Sequence, residues 1–159
     1  MTFLLTHLRT GASGLFAAAL LVVAVPGIAF AQAQPKLPVA PLSAGMHVIQ
    51  AEVADNFVSR MTGMMHRTTM GANEGMLFVF EESGRQCMWM KNTLIPLSVA
   101  YLADDGAIVN IEDMQPQSEE SHCSKAPVRF ALEMNRGWFS GKGIKPGTRI
   151  RGLEKFKPR

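Results

Sequence analysis

Two cysteines, a tryptophan beside a lysine and one strand glutamate are the residues of this chain whose types and spacing could do chemistry. Cys87 and Cys123 are an even pair, and in an exported chain such a pair closes as a disulfide. That bond would tie the segment around Cys87 to the polar loop 115–128. Read as a strand, residues 86–91 put alternate side chains on opposite faces. Met88, Met90 and Asn92 then point one way, and Cys87, Trp89 and Lys91 the other. Trp89 next to Lys91 has two readings. One is a covered indole whose N–H finds a carbonyl while Lys91 snorkels to water. The other is a shallow pocket with an aromatic floor and a cationic rim. Asn92 either hydrogen-bonds a ligand or holds its own turn. Glu133, between Leu132 and Met134, is a candidate acid or base whose pKa burial would raise. The plainer expectation for it is an ion pair with Arg129 or Lys91.

No metal and no cofactor is expected. Cys87, His122 and Cys123 with Met88 or Met90 form a donor set suited to Cu(I), but neighbouring strand positions point to opposite faces. No His-x-His or Cys-x-x-Cys spacing supports zinc. A cysteine nucleophile with His122 as base has poor geometry, and oxidation would silence the thiol. There is no Gly-x-Ser-x-Gly and no phosphate loop. The formal net charge of +3 is too small to argue for nucleic acid, and the basic excess collects in the last turn and tail, from Lys142 to Arg159.

The elements that must position these residues can be read from patterning. Residues 1–14 hold His7 and Arg9 and no acid, 15–25 are an unbroken apolar run, and Ala29-Phe30-Ala31 offers small residues at a cleavage site. This is the layout of a secretory signal cut after Ala31, which predicts a periplasmic or secreted protein. The rival is an uncleaved signal, which would be the chain's only membrane attachment. Residues 32–45, with three prolines, read as an extended linker. The folded domain is expected over 46–153, with a basic tail over 154–159.

Within the domain, 47–54 alternates as a strand. Asp55 can cap a short helix whose Phe57, Met61 and Met64 form one apolar face. Residues 76–80 read as a strand buried on both faces, 81–85 as a hairpin connection, and 86–91 as the returning strand. Residues 97–114 form a hairpin about Asp104-Asp105-Gly106. Residues 129–134 and 147–153 are further strands, with a short helix around Trp138 and Phe139. About seven strands and at most two short helices predict a mainly β fold. An antiparallel sandwich or partly closed barrel is favoured over any βαβ arrangement.

The order of "GMLFVF", "MWMKNTLIPL", "DGAIVNI", "FALEMNRG" and "GIKPG" resembles domain-of-unknown-function family 192, from about Met46 to Leu153. "SRMTGMMHR" looks like another of its segments, with Arg60, Gly63, Met65 and Arg67 in matching places. The resemblance implies a jelly-roll-like β fold with Trp89, Met90, Lys91, Asn92 and Pro96 in the signature segment. It implies no activity. Ser98 and Thr148 stand where many members carry an aspartate. The reading that follows is a non-enzymatic exported domain binding a small polar or anionic ligand through Trp89, Lys91, Asn92 and Glu133, with Cys87–Cys123 bracing the face. Two alternatives stay open: a hydrolase or lyase using Lys91 and Glu133, and a structural envelope protein with a protein partner on that face.

Overall fold

The computed structural model describes residues 32–156, so the expected signal segment 1–31 and the end of the tail lie outside the described residues. Nine strands and two helices follow in chain order: β1 Val39–Ala44, β2 His47–Ala54, α1 Phe57–Thr62, β3 Glu74–Gly84, β4 Cys87–Met88, β5 Leu97–Leu102, β6 Ile108–Met114, β7 His122–Cys123, β8 Val128–Asn135, α2 Trp138–Gly141 and β9 Ile150–Arg151. Seven of the strands form one sheet in the order β6-β5-β8-β3-β2-β1-β9, while β4 and β7 make a separate two-stranded ribbon. The large sheet curls into a half-barrel, so the mainly β architecture with two short helices is as expected.

Three expectations are corrected. Residues 39–44, placed in the linker, form β1, which pairs with β2 from Val39↔Glu52 to Ala44↔His47. Its buried side chains alternate (Ala40, Leu42, Ala44) despite Pro41, so the strand period was present beneath the prolines. The sheet is also not wholly antiparallel. β2 and β3 run parallel, with α1 in the crossover between them, which is a βαβ connection. Finally, residues 81–84 are no hairpin connection. They continue β3, whose partners are β2 and β8 rather than β4.

The sheet separates two apolar layers. Phe130, Leu132 and Met134 of β8 enter one with Leu77, Ala100, Leu102 and the α2 rings Trp138 and Phe139. Ala131 enters the other with Met76, Phe78, Val99 and Tyr101. Both faces of β3, β5 and β8 are therefore covered, which is why these strands read as continuous apolar runs. Met64, Met90 and Ile95 cover the second layer from the segments after α1 and β4. Fully buried Met90 contributes roughly 1.5–3 kcal/mol there by apolar burial. Those two covering segments also form the walls of the candidate site.

Candidate functional site

Each wall is held by local chemistry. α1 starts at Asn56, whose side chain accepts from the Ser59 amide at 3.0 Å, while Ser59 Oγ accepts from the Asn56 amide at 3.3 Å. This reciprocal capping box satisfies two orphan donors and fixes the start one residue later than the expected Asp55 cap. The helix ends at Gly63 (φ +49), whose position lies against the Phe78 ring. So short a helix cannot bury the apolar face predicted for it. Phe57, Val58 and Met61 are 71%, 70% and 52% exposed, and only Met64, beyond the helix, enters the core. Arg60 pins the helix to the sheet by donating to Val79 O at 3.0 Å, Asp55 O at 2.9 Å and Glu81 Oε1 at 3.2 Å. Downstream, Arg67 makes a two-pronged pair with buried Glu52 of β2, at 3.0 and 2.8 Å.

The opposite wall is the segment around Trp89. Cys87 and Cys123 are direct cross-strand partners in the β4–β7 ribbon and are joined by a disulfide. The predicted strand 86–91 ends at Met88. Beyond it the chain turns: Met90 N donates to Ser118 O at 2.9 Å and Thr93 N to Met90 O at 3.0 Å. Asn92 takes a left-handed φ of +55, so face parity cannot be carried past Met88. Asn92 serves the turn, its carbonyl accepting from the His66 amide at 2.8 Å, which ties the two walls together.

Between the walls lies a cavity of about 500 Å³, lined by Met61, Met64, Met65, Phe78, Met88 and Trp89 among others, with Glu133 also in its lining. Trp89 is 42% exposed, less than Phe57 and Met61, and all three line the cavity. Glu133 is 4% exposed. The expected ion pair does not form. Arg129 lies 3.8 Å from Asp104 and donates to the Phe80 and Glu81 carbonyls. Lys91 lies over the Trp89 ring at 5.3 Å, with its ammonium 3.8 Å from Glu119. Neither Lys91 nor Asn92 lines the cavity. With no charge or hydrogen bond to stabilise its ionised form, Glu133 is pushed up to about 8 by burial alone. Tyr101, on neighbouring β5, is also pushed up, chiefly by burial and then by Glu133, and its hydroxyl donates to His122 O at 2.5 Å.

The structure thus brings Trp89 and Glu133 to one cavity and leaves Lys91 and Asn92 outside its lining. Phe57, Met61, Met65, Phe78 and Thr93 were missed as lining residues. The Asn56-x-x-Ser59 spacing was a signal for where α1 begins, and the length that turns its apolar residues outward is set at Gly63. Ser98, in place of the expected acid, is fully buried, donating to Asp113 Oδ1 at 2.5 Å and accepting from the Gly137 amide at 2.9 Å. Among the described residues no group of three His, Cys, Asp or Glu side chains could hold a metal ion.

Residues 40–152 match the profile of family DUF192, described as "Uncharacterized ACR". The chain therefore belongs to domain-of-unknown-function family 192. No curated protein matches it. Among solved structures it is similar to a protein from Sinorhizobium meliloti 1021, provisionally described as a transcription regulator. The two are 35% identical with a TM-score of 0.71, over 76% of this chain and 98% of that one. It is also similar to a protein of unknown function from Novosphingobium aromaticivorans DSM 12444, at 32% identity and a TM-score of 0.70, over 72% of this chain and 86% of that one.

Proposed function

We propose that this protein is a small-ligand binding module whose site is the Glu133 cavity. The observation that carries the reading is a buried carboxyl group with no partner among the described residues, in the lining of a recess of mixed polar and apolar character. Burying a polar group without a partner costs free energy. A ligand whose body contacts Phe78, Met88 and Trp89 and whose polar end reaches Glu133 would supply that partner. The recess has the size and the mixed lining of small-molecule sites. Its position supports the same reading, because "SRMTGMMHR", "GMLFVF", "MWMKNTLIPL" and "FALEMNRG" all contribute to its lining.

A hydrolase or lyase built on Lys91 and Glu133 has less support, since Lys91 is engaged with Trp89 and Glu119 outside the cavity. The regulator description of the Sinorhizobium protein is not carried over. Arg129, Arg136 and Arg149 each face an acid. An exported location belongs to this proposal and is supported by the Cys87–Cys123 bond, which an oxidising compartment preserves.

The test uses a neutral apolar probe, Nile red, titrated into the purified protein and followed by its emission. Trp89→Ala should weaken binding at least about tenfold, the equivalent of ~1.4 kcal/mol, while leaving the urea midpoint nearly unchanged because the indole is half exposed. Met61→Lys, which sets a charge in the lining, should act in the same direction. Unaltered affinity in both variants would overturn the assignment.

A further inference from the structure

Resting on that reading, we infer that the cavity's ligand class is a protonated amine on an apolar chain, with the ammonium group paired to Glu133. Three features of the lining converge on a cation. The one arginine in it, Arg60, is already spent on two carbonyls and on Glu81. The remaining ionisable side chains of the lining, Glu81, Glu82 and Glu133, are all acids. Glu82 makes no ion pair among the described residues, so the recess presents negative potential to an entering ligand. An anionic ligand would meet these acids without a free cation to offset them, which argues against the anion expected from Lys91.

The apolar lining suits the rest of such a molecule. Met61, Met64, Met65 and Met88 are unbranched, pliable thioethers that can follow a straight alkyl chain. The Trp89 ring already hosts the Lys91 ammonium at 5.3 Å, so its π-face attracts cations in this structure.

Charge balance makes the binding step distinctive. The empty site holds Glu133 protonated near neutrality, because burial raises it to about 8. An arriving ammonium favours the carboxylate. The carboxyl proton then passes to the buffer while the ammonium keeps its own three. The groups facing Glu133 from its surroundings do not take that proton. Tyr101 on β5 is held in its neutral form by burial and donates to His122 O. Arg60 of α1 is engaged with two carbonyls and Glu81, and the Thr93 hydroxyl of the opposite wall donates to Lys91 O at 3.4 Å. Glu81 and Glu82 of β3 are exposed.

Calorimetric titration with octylamine, 1-octanol and octanoate, equal in chain length, separates the inference from the reading beneath it. Octylammonium should bind at least tenfold more tightly than octanol, and octanoate most weakly. The amine's binding heat at pH 7 should vary with the buffer's ionisation enthalpy, with close to one proton released per amine, and the release should fade at pH 9. Wild-type protein suffices for this measurement. In Glu133→Gln the proton release and the preference for amine over alcohol should vanish while octanol still binds. Octanol or octanoate binding as tightly as the amine, or amine binding without proton release, would overturn the cationic assignment and leave the cavity reading standing. Failure of all three probes to bind would overturn both.

Discussion

A glutamate at position 133 is costly wherever it meets no partner, and its cost depends on pH in a direction that can be stated. Between the ordinary value of 4.5 and about 8 the folded protein holds the Glu133 proton and the unfolded chain has released it. The unfolded state then binds fewer protons, so stability falls as pH rises. The contribution is fully present below 4.5 and is lost progressively as pH climbs through about 8, at up to ~1.4 kcal/mol per pH unit. The urea midpoint should therefore be higher at pH 5 than at pH 8, and Glu133→Gln should flatten that slope. A slope unchanged by the substitution would assign it to other groups. Glu74 does not confuse the measurement. The Gly71 amide and Lys36 hold its carboxyl below the usual range, so its contribution is lost only as pH falls below that range. The identity of residue 133 as a candidate acid was legible from its place on a strand. Its solitude was not, because Arg129 and Lys91 are close in sequence pattern but take other partners at the ends of other elements.

At the scale of elements, the two walls of the cavity are the parts least predictable from periodicity. The spacing of Phe57, Met61 and Met64 has a helical period, yet a helix of six residues turns most of that stripe outward. The alternation of 86–91 has a strand period, yet only Cys87 and Met88 find a partner strand. Patterning reports which side chains could share a face and says nothing of whether a neighbour exists for the backbone to bond. The β4–β7 ribbon, two residues on each side, holds few hydrogen bonds of its own and depends on its disulfide. Cys87 and Cys123 are 36 residues apart, so the chain-entropy account gives up to about 4 kcal/mol for the bond. The double variant Cys87→Ser with Cys123→Ser should lose roughly 2–4 kcal/mol by urea denaturation and bind Nile red more weakly, because Cys87, Met88 and Trp89 form one wall. Retention of both the midpoint and the affinity would show that the ribbon holds without its bridge.

For the whole molecule, curling the sheet brings its two edges toward a common segment. Residues 147–151 reach β1 through Ser43↔Arg151 and Ala44↔Ile150, and reach the β5–β6 hairpin through the Ala107↔Arg149 bridge. Ile150 N donates to Gly106 O at 2.9 Å in the same contact. Gly106 has φ +84, and a Cβ there would sit 2.5 Å from Ile150 O. Gly106→Ala should cost at least about 2 kcal/mol, since left-handed backbone alone costs a side-chain-bearing residue ~1–3 kcal/mol and the close contact must also open. A urea midpoint within error of the parent would mean that this closure carries no weight. The Asp-Gly turn was readable as a hairpin, and its second duty as a seat for the far edge was not.

What the amino-acid sequence determined by itself is local or compositional: the alternation of β2, the existence of β5 and β8 as strands, the hairpin at Gly106, the family, and a mainly β domain. These follow because side-chain alternation and turn chemistry are properties of a few neighbouring residues. Only the tertiary structure decided that β2 and β3 run parallel, that 39–44 joins the sheet, and that Trp89 and Glu133 share a cavity from which Lys91 is excluded. Those outcomes depend on which distant segments meet, and pairing between segments tens of residues apart is set by packing and backbone bonds that no short window contains.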